Sequence, residues 1–463
     1  MHMPLRTAHA LTPLILLFAL PCAAVTFEVD TSADSVDALP GDHVCADSTH
    51  ACSLRAAIQE ANASSGDNTI VLPAGVYALA LAGNNEDLGA SGDLDIDSDL
   101  AIEGADVATS VIDGGALDRV LDLRPAPHTV QLRNLSVRNG LQGDGSPPGP
   151  TRTGAGLRVG SGVALKLSHV DIRDNHTSNA FGAVAIDNRG CIEGDHVRVI
   201  GNTDLASIGA GDAMSGGIET AGANSCLDLV DSEISDNRGD ASGAIHVDEF
   251  APVTLRRTLV ANNSARFAGA LELNQGSDVL LENVTISGNA GDPGAILNDG
   301  GTHLTLIGST VTGNHASGTT TNVGGIYDVH GGSGLTFLSN TILSGNGPGF
   351  ISDDCVSITS LDGGNIVGDS AHCHFVPLAS DRPDVDAGLG LLADNGGFTR
   401  THLPGANAID HGVATACPAT DQRGLTRPQD GDGDGSVVCD IGAVEIGGSE
   451  AIFADGFDGA ARR

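Results

Sequence analysis

Hydrophobic and polar positions alternate in short bursts through the middle of the chain, and the bursts recur. Gly182-Ala183-Val184-Ala185-Ile186, Gly216-Gly217-Ile218-Glu219, Gly243-Ala244-Ile245-His246-Val247, Gly269-Ala270-Leu271-Glu272-Leu273, Gly294-Ala295-Ile296-Leu297 and Gly324-Gly325-Ile326-Tyr327 each open a stretch in which aliphatic and variable positions alternate. That is the period of a strand with one face buried. A second burst follows in each unit, as in Val253-Thr254-Leu255 and Val279-Leu280-Leu281, and a third runs into an asparagine. These stops are Asn139, Asn175, Asn202, Asn237, Asn263, Asn289, Asn314 and Asn346, 25 to 36 residues apart and clustered near 26. Self-similarity at a fixed period marks a solenoid.

Three strands in about 26 residues leave no room for a crossover helix. The expected fold is therefore all-β: a right-handed parallel β-helix with three short strands per coil, each strand stacking on its equivalent one coil earlier. Aliphatic side chains stack inside, Gly relieves the corners, and Asn suits the left-handed backbone of a tight corner. Ser53 is a candidate N-cap for a short helix with Leu54, Ala57, Ile58 and Ala61 on one face, which would cover the open N-terminal end. The chain divides into a signal peptide (1–24), an N-terminal cap with the first coils (25–115), the repeats (116–375), a C-terminal cap (376–447) and a tail (448–463). In the first segment, Arg6 precedes the apolar run Leu11 to Leu20, which is too short to span a bilayer.

Composition narrows the partners. Removing residues 1–24 takes away Arg6 and no acid, so the 22 basic residues become 21 against 59 acidic ones, a net of −38. Such a charge argues against nucleic acid, anionic lipid and polyanionic substrates unless a cation intervenes. No segment reads as membrane-spanning, and the expectation is a secreted or cell-surface monomer. Eight cysteines remain after Cys22 is lost. Their order suggests Cys45–Cys52, Cys191–Cys226, Cys355–Cys373 and Cys417–Cys439, although eight cysteines allow 105 connectivities.

Aligning the strand openings gives an outward column of Arg158, Ala185, Glu219, His246, Glu272, Leu297 and Tyr327, with Gly160, Asp187, Ala221, Asp248, Asn274, Asp299 and Val329 two residues on. Glu219, His246, Asp248 and Glu272 then form an acid/base patch of the kind used in glycan cleavage, its acids one or two coils apart. Flanking acids favour a protonated histidine, and no basic residue falls beside them. Asp430, Asp432 and Asp434, separated by glycines, could wrap Ca²⁺ as the first half of an EF-hand loop does, although Ile441 stands where the bidentate Glu belongs. His372 and His374 are a weaker metal pair, and Asp353-Asp354 a weaker catalytic one.

Both ends also resemble known families. Cys52-Ser53-Leu54-Arg55-Ala56-Ala57-Ile58, with Leu72-Pro73-Ala74-Gly75-Val76-Tyr77 and Gly92-Asp93-Leu94-Asp95-Ile96, resembles bacterial exported proteins named for a Cys-Ser-Leu-Arg-Glu-Ala motif. Here Ala56 stands at the Glu position. Asp394-Asn395-Gly396-Gly397, Asp421-Gln422-Arg423-Gly424, Arg427-Pro428 and Asp440-Ile441-Gly442-Ala443 resemble the choice-of-anchor C-terminal domain, type Q, and Phe453-Ala454-Asp455-Gly456-Phe457-Asp458 is similar to a tail on exported Gram-negative proteins. The resemblance implies export and the pectin-lyase-like β-helix fold, and no activity. Two functions follow: a structural or adhesive module that binds a glycan or cell-surface ligand, or a glycoside hydrolase or polysaccharide lyase using the column around His246.

Overall fold

The computed structural model describes residues 24–83, 86–143, 153–178, 182–205, 213–318, 321–329, 335–347 and 354–447. The signal-peptide and tail readings fall outside them, apart from Ala24. The described chain is a right-handed parallel β-helix with one α-helix, Leu54–Ala63. No described helix is long and apolar enough to cross a membrane.

Most coils contribute to two large stacked sheets. One, of ten strands among the described residues, runs from Leu94–Ile96 through Ile218–Ala221, Ile245–Asp248 and Leu271–Leu273 to Cys355–Val356. The other has two limbs per coil, such as Val253–Arg256 and Leu259–Ala261. Between the limbs the backbone bends through a left-handed residue on successive coils: Asn134, His169, His196, Asp231, Arg257 and Asn283 all have φ between 46° and 54°. Aliphatic positions of both sheets face inward and form one apolar core from Phe27 to Cys373. The Gly-Ala openings have a steric cause. A Cβ on Gly243 or Gly269 would fall on the carbonyl oxygen of Gly269 or Gly294 in the next coil, so only glycine lets the coils close there.

The asparagines do something other than expected. The left-handed residue is the one before each stop: Asp174, Gly201, Asp236, Asn262, Gly288, Gly313 and Gly345. The stops themselves point inward and hydrogen-bond to one another. Asn175 Nδ2 donates to Asn202 Oδ1 at 2.9 Å, and the same bond runs on through Asn237, Asn263, Asn289, Asn314 and Asn346 at 2.8–3.0 Å. Each oxygen also accepts the backbone N–H of the preceding asparagine. The amides thereby satisfy the polar groups of a fully buried corner. Asn139 is off by one place; it is itself left-handed (φ 57°), and Gly140 takes the ladder position, donating to Asn175 Oδ1 at 2.9 Å.

Ser53 caps the helix as expected, accepting from Ala56 N–H at 3.0 Å, and Leu54, Ala57, Ile58 and Ala61 are buried. Arg55 is buried too, 1% exposed, paired with Asp34 at 2.6 Å and donating to the carbonyls of Gly89, Gly92 and Asp93. The four disulfides are those the sequence order suggested. Residues 376–447 reach back along the two-limbed sheet. Arg400 meets Glu233, His402 meets Ser287 Oγ at 2.9 Å, Thr285 donates to Gln422 at 2.6 Å, and Ala443 N–H donates to Thr310.

Candidate functional site

Strand register places Glu219 beside His246 and His246 beside Glu272 on successive coils. The column is real, but longer and differently composed than expected. Asp95, Asp122, Arg158 and Asp187 precede Glu219 in it. Asp187, not Ala185, is the member on the coil before Glu219, so that coil's alignment shifts by two residues. The cause is a short corner. Eight residues separate Ile245 from Val253, Leu271 from Val279 and Ile296 from Leu304, whereas Ile186 and Ile192 are only six apart and are nonetheless the equivalent pair. Spacing alone selects Val184 in place of Ile186.

The shift overturns a second expectation, because it brings Arg189 to the acids. Its Nη2 lies 2.6 Å from Glu219 Oε1 and its Nε 3.2 Å from Asp187 Oδ1. Thr153 donates its hydroxyl to the other Asp187 oxygen. No spacing signal pointed to Arg189; only its place beside Asp187 once the short corner is recognised does so.

At Glu219 and His246 the column is also not a wet face, while Glu272 is half-buried. His246 is 1% exposed and Glu219 5%. Burial, with Asp187 as the nearest like charge, pushes the Glu219 carboxyl up to about 7, and burial pushes Glu272 to about 7 as well. His246 moves the opposite way from expectation. Burial, and then the positive charge of Arg189, hold it at about 4, so the ring is neutral near pH 7. Asn274 Nδ2 lies 3.2 Å from His246 Nε2 and 3.5 Å from Glu272 Oε1. With Nε2 accepting, the ring proton resides on Nδ1. His246 Nδ1, Glu219 Oε2 and Glu272 Oε2 have no hydrogen-bond partner.

Asp248 lies two residues beyond His246 on the same strand, and its charge adds to the rise of both Glu219 and Glu272. It pairs in register with Ala221 at the strand end, and its Oδ1 accepts the backbone N–H of Glu249 at 2.8 Å. Asp353 lies outside the described residues. Asp354 ends the asparagine ladder, its carboxyl raised to about 6 by burial. Cys373 is bonded to Cys355, between the two histidines of the weaker metal pair.

The acidic loop is regrouped as well. Asp410 joins Asp430 and Asp432, with one carboxylate oxygen of each within 4.8 Å of the others. Asp434 instead accepts from Ser436 N–H at 2.7 Å. Asp410 Oδ2 receives the N–H groups of Gly431 and Asp432, which fold the loop over it. A further acidic trio, Asp93, Asp95 and Asp122, is buried among Arg119, Arg124 and Arg158.

Residues 155–342 match the family model described as right handed beta helix region. No curated protein matches the chain. Among solved structures, the crystal structure of pectate lyase Pel9A is similar over 92% of this chain and 98% of that chain, with 13% sequence identity and a TM-score of 0.43.

Proposed function

We propose that this protein is an exported or cell-surface β-helix that acts as a monomeric structural or adhesive module and binds a glycan. The burial of the acidic column carries this reading. Glu219 and His246 are almost fully buried, which leaves a polymer little direct access to them, whereas the two-limbed sheet offers an extended, charge-paired flank. That flank carries Arg133–Glu103, Lys166–Glu193 and Arg256–Asp228 across neighbouring coils. Four disulfides are consistent with an oxidising compartment. Ca²⁺ held by Asp410, Asp430 and Asp432 would stiffen the acidic loop.

The deciding experiment presents the purified protein to immobilised glycans and to soluble polysaccharides in parallel. Retention on glycans with no new reducing ends or unsaturated products is the expected result. Turnover abolished by Glu272→Gln or His246→Ala would overturn it in favour of a carbohydrate-active enzyme. That second reading has one specific observation behind it, the unpartnered Glu219, His246 and Glu272 atoms beside carboxyls poised near neutrality.

A further inference from the structure

The bend of the two-limbed sheet and the returning C-terminal segment line an open surface cavity of about 630 Å³. It lies on a different sheet from the acidic column. Ligand pockets span roughly 300–1,000 Å³, so this one has room for one or two sugar rings.

Its polar side is made by two left-handed bend residues on adjacent coils. Arg257 closes on Asp231 through two bonds, Nε to Oδ1 at 2.7 Å and Nη2 to Oδ2 at 2.6 Å. A carboxylate has about four lone-pair sites and a guanidinium five N–H groups, so the pair keeps acceptor and donor capacity side by side in one plane. Its charges cancel. Arg423, which also lines the cavity, has its guanidinium buried against Asp421 and the Glu445 carbonyl, so both arginines that line the space are paired.

The apolar side is Phe398. Its ring stands at 78° to the His196 ring with centroids 4.6 Å apart, and the Arg198 guanidinium lies over one of its faces, 4.8 Å from the centre, which holds the half-buried ring in place. An aromatic face is electron-rich and suits the C–H face of a sugar. Gly397 and Gly424 complete the rim, both with φ of 82°, and a Cβ on Gly424 would meet nothing within 4 Å.

We propose that this cavity binds an uncharged saccharide of one or two rings. Neighbouring hydroxyls exchange hydrogen bonds with the Asp231–Arg257 pair, and the sugar's C–H face lies on Phe398. The inference rests on the glycan-binding reading above and names the place and the class of sugar.

An array of neutral and acidic mono- to tetrasaccharides, followed by calorimetry with the strongest neutral hit, tests it. Phe398→Ala and Arg257→Gln should each weaken binding about tenfold or more. Gly424→Asn should abolish it; asparagine tolerates the left-handed backbone, and the new side chain enters the cavity. Because Gly424 has open space before it, this variant decides the matter if Phe398→Ala fails to fold, with circular dichroism confirming its structure. Neutral glycans bound equally well by all three variants would overturn this site and leave the glycan reading standing, as would binding confined to polyanionic glycans. A wild-type protein that retains no glycan overturns both.

Discussion

Asn346 gives both its backbone N–H and its side-chain Nδ2 to one carboxylate oxygen of Asp354, each at 2.8 Å. The asparagine ladder has a direction, because every amide nitrogen points toward the next coil. Its last member therefore needs an acceptor with no competing donor. A carboxylate meets that need, and Asp354 Oδ2 is engaged by Asp369 N–H in turn.

Breaking the ladder midway should be costly. Asn263→Ala removes the acceptor of Asn237 and the donor to Ile234 carbonyl and Asn289, all in a fully buried corner. Each buried polar group left unpaired costs about 1–3 kcal/mol, so urea unfolding should show a loss of about 2–5 kcal/mol. A loss under about 1 kcal/mol would mean that the corner is held by the strands alone.

Stability should fall as pH rises from about 4.5 to 7. Glu219 and Glu272 keep their protons in the fold up to about 7, while the unfolded chain releases them near 4.5. The native state thus binds more protons in that window and loses about 1.4 kcal/mol per pH unit for each. His246, held at about 4, acts in the opposite sense. It favours the fold above pH 6.5, and that contribution is lost as pH falls toward 4. Two acids outweigh one histidine, so the urea midpoint should be higher at pH 5.5 than at pH 8. Glu272→Gln should flatten the slope, and an unchanged slope would contradict the assignment.

Arg55→Ala should unfold the N-terminal cap first. It strands Asp34, whose side chain is 3% exposed, and leaves three carbonyls without their donor. Removing one partner of a buried ion pair costs about 3–5 kcal/mol. Hydrogen exchange should rise in residues 26–63 before it does in the central coils. Uniform loss of protection would show that the cap and the coils unfold together.

For the acidic loop, calcium should raise the melting temperature of the wild-type protein, and Asp410→Asn should remove the shift while Asp434→Asn preserves it. The reverse dependence would restore the grouping that sequence order suggests.

The solenoid, its capping helix and the disulfide pairs were legible because a repeat reports the same geometry many times over. Burial of the column was not. The alternation of Ile245, His246 and Val247 says only that His246 faces away from the core; it carries nothing about how exposed that outer face is. The two-residue slip at Asp187 has a related origin, since Ala183-Val184 and Ala185-Ile186 are equally good openings and only strand pairing distinguishes them. Asp410 was unreachable for a simpler reason. It lies twenty residues before Asp430, in a segment with no periodicity.

The returning C-terminal segment has a consequence for how such a chain can evolve. Its contacts at Glu233, Thr285, Thr310 and Asn340 fall on coils whose distances are set by the number of turns between them, so the segment works as a ruler laid along the stack. Duplicating one coil, ordinarily the easiest way for a solenoid to lengthen, would shift these marks out of step. The length of this β-helix is thereby tied to its own ending.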